Sequence, residues 1–285
     1  MIELLKGKPV SDSIRESVIR QVEEGNGSAP KLVILRVGDN PEDMSYEKSA
    51  TKKLSGMGIN VVSCVLSQDV SADDFKSEFM KINEDESVDG ILIMRPLPKH
   101  LKEAEQWMTL SFDPEKDVDG ICPVNLAGIM RGDSEAFAPC TAQSVIEIIK
   151  GYGVELSGKN VTLIGRSMVV GKPLSMLLLK ENATVTICHT KTGNLAEACR
   201  NADIVIAAAG HAGLVGASFV RDGQVLVDVG VNVDSEGNLV GDINIMEIES
   251  AGVDVKITPV PGGVGVVTTA VLAEHVCMAW TKKNK

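Results

Sequence analysis

Short apolar runs alternate with amphipathic stretches over the first third of the chain. β-Branched and other apolar residues fill 31–37 (KLVILRV), 59–66 (INVVSCVL) and 89–94 (DGILIM), and each run has the length of a buried strand. Between them, helical spacing covers 42–56 and a segment opened by Ser71, a residue suited to a helix N-cap. This β-α-β-α-β order predicts a parallel sheet covered by helices.

The same alternation returns after a loop-rich stretch that contains DPEKDVDG and FAPCTAQ. Predicted strands occupy 160–165, 183–189, 203–210 and 224–230, and predicted helices occupy 172–181 and 194–200. The fold class is therefore α/β. We predict a first domain over 1–140, a second over 141–266, and a C-terminal helix over 267–285 that packs back on the first domain.

Composition and charge narrow the class of protein. With 285 residues, of which 44% are hydrophobic, the chain is long enough for about two globular domains. The net charge of -11 argues against a nucleic-acid or anionic-membrane surface, because binding phosphates requires a basic face. The start MIELLKGKPV lacks the features of a signal peptide, and no apolar run predicts a membrane span. We expect a cytoplasmic enzyme.

The cysteines and histidines indicate no metal site. The six cysteines show no C-x-x-C spacing and several lie in apolar runs, so reduced core residues are expected. The four histidines are scattered along the sequence, and an ordinary structural role is favoured for each of them.

The segment GRSMVVGKP follows the strand at 160–165 and carries the first candidate chemistry. Gly165 and Gly171 bracket a tight turn, and Pro173 suits the first turn of a helix. Such a turn directs backbone N–H groups at a phosphate. By spacing alone a plain strand-to-helix connection is nearly as probable, because the segment is not G-x-G-x-x-G.

The end of the next strand bears on the choice of cofactor. A site that prefers NAD usually has an acidic residue there, which binds the ribose 2′-hydroxyl. Here the sequence reads CHTKT, and His189, Thr190, Lys191 and the nearby Arg166 supply donors and positive charge. These groups suit the 2′-phosphate of NADP, with NAD as the alternative. The other interpretation is that Lys191 and Arg166 are simply solvated.

Eight segments occur in one order: VGDNPEDMSYEKSATKK, DGILIMRPLP, PEKDVDG, GRSMVVGKP, VTICHTKT, DVGVN, GDIN and TPVPGGVG. Together they resemble the methylenetetrahydrofolate dehydrogenase/cyclohydrolase family from Val37 to Thr268. The resemblance implies two α/β domains around a cleft, a folate site on the first and a Rossmann-like dinucleotide-binding second domain. It also implies a homodimer and a folate substrate. We expect the folate to be polyglutamylated, and Arg95 or Lys52 could bind the carboxylates of its glutamate tail.

The resemblance assigns roles to residues. Asp119 matches a pterin-contacting aspartate and Tyr46 matches a catalytic tyrosine, but Ala50 stands at the position of the family's lysine and Met94 at that of its glutamine. The predicted substrate-binding residues are Tyr46, Arg95, Pro96, Leu97, Asp119, Gly262 and Gly263. The predicted cofactor-binding residues are Gly165, Arg166, Ser167, Gly171, Pro173, His189, Thr190, Lys191, Gly210 and Gly230.

The two replaced positions separate two reactions. Hydride removal from the carbon that bridges N5 and N10 requires positioning but no proton-carrying side chain. Hydrolysis of the methenyl product requires a group that moves protons, which alanine and methionine cannot do. We therefore predict an NADP-dependent dehydrogenase with weak or absent cyclohydrolase activity.

Three alternatives stay open. Lys53, two helical turns after Tyr46, is a candidate for a relocated catalytic lysine, which would keep both activities. A non-catalytic folate- or dinucleotide-binding module is the alternative of another class. A shikimate-type dehydrogenase is a weaker one, since Ala50 removes the lysine that such an enzyme uses.

Overall fold

The computed structural model describes residues 1–25 and 27–284, so Lys285, the end of the predicted C-terminal helix, lies outside the described residues. The helices are α1 (Gly7–Glu23), α2 (Pro41–Ser55), α3 (Ala72–Glu84), α4 (Lys102–Ser111), α5 (Pro123–Arg131), α6 (Cys140–Gly151), α7 (Gly171–Lys180), α8 (Leu195–Arg200), α9 (Ile245–Ser250) and α10 (Val264–Lys283). The strands are β1 (Ile2–Leu4), β2 (Lys31–Val37), β3 (Asn60–Leu66), β4 (Gly90–Ile93), β5 (Asn160–Ile164), β6 (Thr184–Cys188), β7 (Ile204–Ala207), β8 (Gln224–Asp228), β9 (Asn232–Val233), β10 (Leu239–Val240) and β11 (Val255–Ile257).

The chain divides into two compact units. The three-stranded unit comprises Ser13–Cys140 and Thr269–Lys285, and the six-stranded unit comprises Met1–Asp12 and Thr141–Thr268. Both are α/β, and the six-stranded unit is Rossmann-like, so the predicted fold class is confirmed. The predicted bounds differ at the N-terminus, because residues 1–12 lie in the six-stranded unit. The reason is β1, which pairs in parallel with β11.

The sheet of the three-stranded unit has the order β3-β2-β4, and all its pairs are parallel. The Ser71 hydroxyl accepts a hydrogen bond from the Asp74 N–H and so caps α3, as the sequence predicted. This cap directs Phe75 and Phe79 into the core, where both are fully buried with β2 and β4 residues. The carboxyl ends of β2 and β4 are thereby fixed by buried apolar packing.

The sheet of the six-stranded unit has the order β1-β11-β8-β7-β5-β6, and all its pairs are parallel. The chain runs from β5 outward to β6 and then returns to β7 on the other side of β5. The strand order therefore reverses between β5 and β7. In open parallel sheets, ligands bind beyond the carboxyl ends of the strands at such a switch point.

Some elements were absent from the sequence-based prediction. The stretch treated as rich in loops contains α4, α5 and the start of α6. Helix α5 begins at Pro123 after Cys122, whose sulfur accepts from the Asn125 N–H at 3.5 Å. Cysteine is not a usual capping residue, so the start of this helix carries no strong local signal.

Helix α10 is long and apolar enough to cross a membrane by length and composition alone. However, 67% of its most hydrophobic window is buried inside the protein, which is typical of a core helix. Its apolar composition is thus accounted for by protein packing.

Candidate functional site

Strand β4 leads into the segment Met94–Leu97. Met94 is buried, and its N–H donates to the Leu35 carbonyl at 2.9 Å, so it continues the edge of the sheet. Arg95 Nη2 lies 3.6 Å from Asp119 Oδ2, and both side chains are 26% exposed. Pro96 is exposed and follows a cis peptide bond, whereas Leu97 is buried in the core. The predicted residues Arg95 and Asp119 are therefore brought together.

The loop that carries Asp119 is shaped by Asp117. The Asp117 carboxylate is fully buried and accepts from the N–H groups of Ile121 and Cys122, at 3.0 and 2.8 Å, and from Asn125 Nδ2 at 3.0 Å. Burial raises the pKa of Asp117, and these donors partly oppose the shift. Of the two aspartates in KDVDG, the first therefore holds the loop and the second is left partly exposed.

Tyr46 lies on α2, which begins at Pro41 after the cap Asn40. The pKa of Tyr46 is raised to about 12, first by desolvation and then by Cys140 and Asp119, while a hydrogen bond with the Thr269 side chain lowers it. The residue as a whole is 40% exposed, but Thr269 is buried, so we assign the desolvation to the bonded hydroxyl end. At neutral pH this phenol stays protonated and can donate a hydrogen bond.

The other side chains of α2 fall on two faces. Ala50, one turn after Tyr46, is 1% exposed and belongs to the buried face with Glu47 and Leu54. Glu47 Oε2 accepts from Arg36 Nε at 2.6 Å, and both side chains are 10% exposed. Lys53 is exposed, and within residues 1–25 and 27–284 it forms no side-chain hydrogen bond or ion pair. Within these residues Lys53 thus has no hydrogen bond or ion pair with Tyr46 or Asp119.

The turn after β5 is built on its two glycines. Gly165 has φ +127, and a Cβ there would collide with the Ala208 carbonyl oxygen at the end of β7. A Cβ on Gly171 would collide with the Gly165 carbonyl oxygen, and Pro173 is buried in the first turn of α7. Both glycines are therefore required by close backbone approach at the switch point between β5 and β7.

The same turn leaves backbone donors available. Ser167 Oγ accepts from the Val170 N–H at 3.1 Å, which closes the turn. In the part of the chain that the structure describes, the N–H groups of Arg166, Ser167 and Met168 have no protein acceptor, and all three residues are exposed. Exposed N–H groups before the helix α7 form a site that fits a phosphate group of a dinucleotide.

The loop after β6 holds His189, Thr190 and Lys191. The His189 N–H donates to Thr192 Oγ1 at 2.9 Å, and the Lys191 N–H donates to His189 Nδ1 at 3.1 Å. Because Nδ1 accepts this bond, the proton of the neutral ring lies on Nε2. Thr190 and Lys191 are exposed. The loop therefore presents a cation and hydrogen-bond donors beside the carboxyl end of β6.

Two buried aspartates organise the loops after β7 and β8. Asp242 Oδ2 accepts from the N–H groups of Ala209 and Gly210 at 2.6 and 2.9 Å, and Oδ1 accepts from the His211 N–H at 2.8 Å. Asp228 accepts from the Asp242 N–H at 3.0 Å and from the Gly230 N–H at 2.9 Å. Desolvation is the main cause that raises the pKa of Asp228 to about 6.

Gly210 and Gly230 differ in their surroundings. Gly210 is exposed with φ +65 and has open space at its Cβ position. Gly230 is buried, and a Cβ there would collide with the Asp242 carboxylate. Packing against Asp242 is thus sufficient to explain why residue 230 is a glycine.

Gly262 and Gly263, predicted to bind substrate, belong to the six-stranded unit. The Gly262 carbonyl accepts from the Gly7 N–H at 2.8 Å, and Gly262 has φ +105. A Cβ on Gly263 would lie 2.5 Å from the Pro259 carbonyl oxygen. Backbone conformation at Gly262 and close backbone approach at Gly263, both within the six-stranded unit, therefore account for glycine at these positions.

Sequence reasoning missed several residues of these sites. Thr269, Cys140 and His275 in the three-stranded unit, and Asp228 and Asp242 in the other, were not singled out. The two aspartates lie in DVGVN and GDIN, and a buried strand that ends in a carboxylate was an available signal. Among the described residues, no group of three or more His, Cys, Asp or Glu side chains could hold a metal ion.

Family models match both parts of the chain. Residues 5–119 match the tetrahydrofolate dehydrogenase/cyclohydrolase catalytic domain, and residues 139–284 match the NAD(P)-binding domain of the same family. The bifunctional protein FolD of Clostridioides difficile is 49% identical over 284 residues, covering 99% of this chain and 98% of that protein. The match therefore extends over nearly the full length of both proteins.

Solved structures agree with this match. The FolD methylenetetrahydrofolate dehydrogenase/cyclohydrolase of Campylobacter jejuni superposes with a TM-score of 0.93 at 35% identity, covering 99% of this chain and 100% of that one. The Trypanosoma brucei enzyme, complexed with NADP cofactor and inhibitor, has a TM-score of 0.91 at 30% identity, covering 100% and 99%. With both domain models matched and relatives similar over the full length, the chain belongs to the tetrahydrofolate dehydrogenase/cyclohydrolase family.

Proposed function

We propose that the protein is an NADP-dependent 5,10-methylenetetrahydrofolate dehydrogenase with weak or absent cyclohydrolase activity. The observation that carries the second half of this proposal is Ala50, a buried apolar residue one turn from Tyr46. Relatives with 48% and 49% identity are named bifunctional proteins, so the proposal separates this chain from them by its own side chains.

Tyr46, Arg95 and Asp119 are the proposed substrate residues. Asp119 accepts hydrogen bonds from the pterin ring, and its carboxylate favours the cation that forms at the bridging carbon. Arg95, at 3.6 Å, keeps this carboxylate oriented. Tyr46, protonated at neutral pH, donates a hydrogen bond. None of these roles requires a proton to leave the side chain.

The six-stranded unit supplies the proposed cofactor site. The exposed N–H groups at 166–168 and the glycines of the turn fit a pyrophosphate, while Arg166, His189, Thr190 and Lys191 fit the 2′-phosphate of NADP. When bound, NADP accepts the hydride from the bridging carbon. The Trypanosoma brucei relative was solved with NADP, which supports this choice over NAD.

Among the described residues, Tyr46, Arg95 and Lys53 are each poorly suited to carry a proton in hydrolysis. A phenol with a pKa of about 12 is a poor base at neutral pH, since little of it is ionised. Arg95 stays charged and cannot exchange protons usefully. Lys53 is the remaining candidate on α2, but it is exposed and, within the described residues, forms no hydrogen bond or ion pair with Tyr46 or Asp119. The dehydrogenase reaction is the one that these groups support.

The decisive assay follows reduced cofactor and methenyl product separately. Purified protein receives 5,10-methylenetetrahydrofolate and NADP, with NAD in parallel and an enzyme-free control for spontaneous hydrolysis. We expect methenyl product to accumulate with reduced NADP and to decay at the control rate. Faster decay contradicts the single-activity proposal, and Lys53→Ala then tests whether a relocated lysine is responsible. If neither cofactor is reduced, the non-catalytic binding module becomes the favoured function.

The substrate tail and the assembly complete the proposal. Lys52 is exposed and, in the described chain, forms no ion pair, whereas Arg95 already faces Asp119. We therefore assign the glutamate carboxylates of a polyglutamylated folate to Lys52.

A homodimer is supported by exposed apolar side chains on the β9–β10 hairpin, where Val231 and Val233 are 67% and 65% exposed.

A cytoplasmic location is part of the same proposal. Within the described residues none of the six cysteines forms a disulfide, and five of them are buried. This pattern is typical of proteins that function in a reducing compartment.

A further inference from the structure

His275, on α10, contacts the loop that carries Asp119. Its Nδ1 atom lies 2.8 Å from the carbonyl oxygen of Val118, the residue immediately before Asp119. The imidazole is 5% exposed and packs on the Phe137 ring, with centroids 5.3 Å apart. A buried polar side chain thus bonds to the backbone directly next to the proposed pterin-binding carboxylate.

The partners of His275 determine its protonation. A carbonyl oxygen only accepts, so Nδ1 must carry a proton. Burial lowers the pKa of His275, which keeps the ring in its neutral form near pH 7. The ring is therefore a neutral Nδ1–H donor, and its charge is not needed for the contact.

Cys140 supports the same loop from a second direction. Its sulfur lies 3.4 Å from the Val118 carbonyl oxygen and 3.8 Å from His275 Nδ1. Its backbone N–H donates to Asp119 Oδ1 at 3.3 Å. In the part of the chain that the structure describes, the donors to the Val118 carbonyl come from side chains rather than from backbone N–H groups. His275 makes the shorter of the two contacts.

The Val118 carbonyl and the Asp119 N–H belong to one planar peptide group. A donor that fixes the oxygen also fixes the plane from which the Asp119 side chain departs. An error of about 1 Å in the placement of a reacting group can lower a rate about a hundredfold. The orientation of Asp119 therefore depends on the hydrogen bond to the Val118 carbonyl as well as on its own contacts with the Cys140 N–H and Arg95.

We propose that His275 is a positioning residue that orients Asp119 through the Val118 carbonyl. The inference rests on the proposed dehydrogenase function and adds to it a residue that does not contact the substrate. It predicts that activity requires a neutral hydrogen-bond donor at the position of Nδ1. It also predicts that activity does not require the imidazole ring itself.

Two replacements of His275 separate these requirements. His275→Asn places an amide N–H near the position of Nδ1, whereas His275→Leu keeps apolar volume and removes the donor. We expect His275→Asn to retain at least about a third of the wild-type kcat/KM for methylenetetrahydrofolate. We expect His275→Leu to lose about tenfold or more, with the KM for NADP unchanged within about twofold.

A double-mutant cycle with Asp119→Asn tests the route of the effect. If His275 acts through Asp119, His275→Leu adds little further loss once the carboxylate is absent. Circular dichroism and thermal unfolding establish that each variant is folded. If the leucine variant does not fold, His275→Met replaces it, because the flexible methionine side chain adapts to irregular core space.

Three results would overturn the inference. One is a folded leucine or methionine variant with wild-type kcat/KM; another is an asparagine variant that loses as much as leucine. The third is full additivity with Asp119→Asn. Binding of tetrahydrofolate, measured by calorimetry, is the readout that does not need turnover, and His275→Leu should weaken it. A wild-type protein that neither binds tetrahydrofolate nor reduces a cofactor instead refutes the proposed function itself.

Discussion

Ala50 lies on the buried face of α2, one turn after Tyr46 and one turn after Glu47. Glu47 is already paired with Arg36 at 2.6 Å, and Arg36 also donates to the Gly38 carbonyl oxygen. A longer side chain at position 50 would extend from this buried face, where little space is expected for it. We therefore expect packing around α2, as well as side-chain chemistry, to limit which residues position 50 accepts.

We expect Ala50→Lys to raise the rate of methenyl decay about tenfold or more above the spontaneous rate, because proton transfer by a positioned side chain contributes about 10² to 10⁴ in rate. The same change should lower the free energy of unfolding by about 1–3 kcal/mol through overpacking. Ala50→Met is the matched control, with similar length and no amine. Equal decay rates for the lysine and methionine variants would show that Met94 or the direction of α2 limits hydrolysis.

Asp119→Asn removes the proposed charge and keeps the shape of the side chain. We expect the dehydrogenase kcat/KM to fall about a hundredfold, since groups aimed at developing charge contribute about 10² to 10³ in rate. Glu115→Gln removes an exposed charge from the same loop and is the control. Steady-state kinetics with varied folate measure both, and similar losses in the two variants would remove Asp119 from the proposed site.

At the scale of elements, we expect the turn between β5 and α7 and the loop after β6 to determine whether NADP or NAD is preferred. Arg166 and Lys191 are exposed side chains at the carboxyl ends of two adjacent parallel strands. Because such ends lie at the same edge of a sheet, both side chains belong to one side of the proposed cofactor site.

The double variant Arg166→Ala/Lys191→Ala should raise the KM for NADP about tenfold, because each charge-assisted hydrogen bond contributes about 1.5–3 kcal/mol before solvent screening. The KM for NAD, which lacks the 2′-phosphate, should change by less than about twofold. Lys180→Ala, at the other end of α7, is the control. If the KM for NAD rises as much as the KM for NADP, these cations do not recognise the 2′-phosphate.

The Asp228–Asp242 pair couples the loops after β7 and β8 to pH. Burial raises the folded-state pKa of Asp228 to about 6, above its ordinary value, so the folded protein binds the proton more tightly than the unfolded chain. The stabilisation that this tightly bound proton provides is fully present below the ordinary carboxyl pKa. It is lost as the pH rises through about 6.

Asp228→Asn removes this titration. We call the unfolding free energy of the wild type minus that of the variant the stability gap. This gap should be about 1 kcal/mol larger at pH 5 than at pH 7.5. Urea unfolding at the two pH values measures the difference. A gap that stays constant or widens with rising pH would contradict the raised pKa of this carboxyl.

At the scale of the whole molecule, exposed apolar side chains occur at the hairpin formed by β9 and β10. Val231, Val233 and Leu239 are 67%, 65% and 47% exposed, and the last two are paired residues of β9 and β10. Because exposed apolar patches are typical of protein interfaces, we expect this hairpin to contribute to the proposed dimer interface.

We expect Val231→Ser/Val233→Ser to shift the protein from dimer to monomer in size-exclusion chromatography with light scattering. The control is Val62→Ser/Val65→Ser on the edge strand β3, whose valines are 40% and 52% exposed. If the dimer persists in the hairpin variant but is lost in the β3 variant, the interface lies in the three-stranded unit instead.

Strand positions and glycine turns could be predicted from the sequence because their signals are local. β2 was predicted at its observed bounds, and Gly165 and Gly171 were identified from spacing within nine residues. The Ser71 cap depends on residues within one helical turn. In contrast, β1 is three residues long and only half-buried at one position, so its pairing with β11 left no periodic signal.

The sequence by itself determined the parallel α/β architecture and the family, and it predicted a cofactor turn after β5 and the replacement of a catalytic lysine and glutamine by Ala50 and Met94. Only the tertiary structure brought Thr269 and Cys140 to Tyr46, His275 to the Val118 carbonyl, and Asp242 to the loop after β7. These contacts join residues that are far apart in the chain, so their geometry depends on the packing of whole elements. Local propensity sets the elements, whereas long-range packing sets which polar groups meet and which pKa values shift.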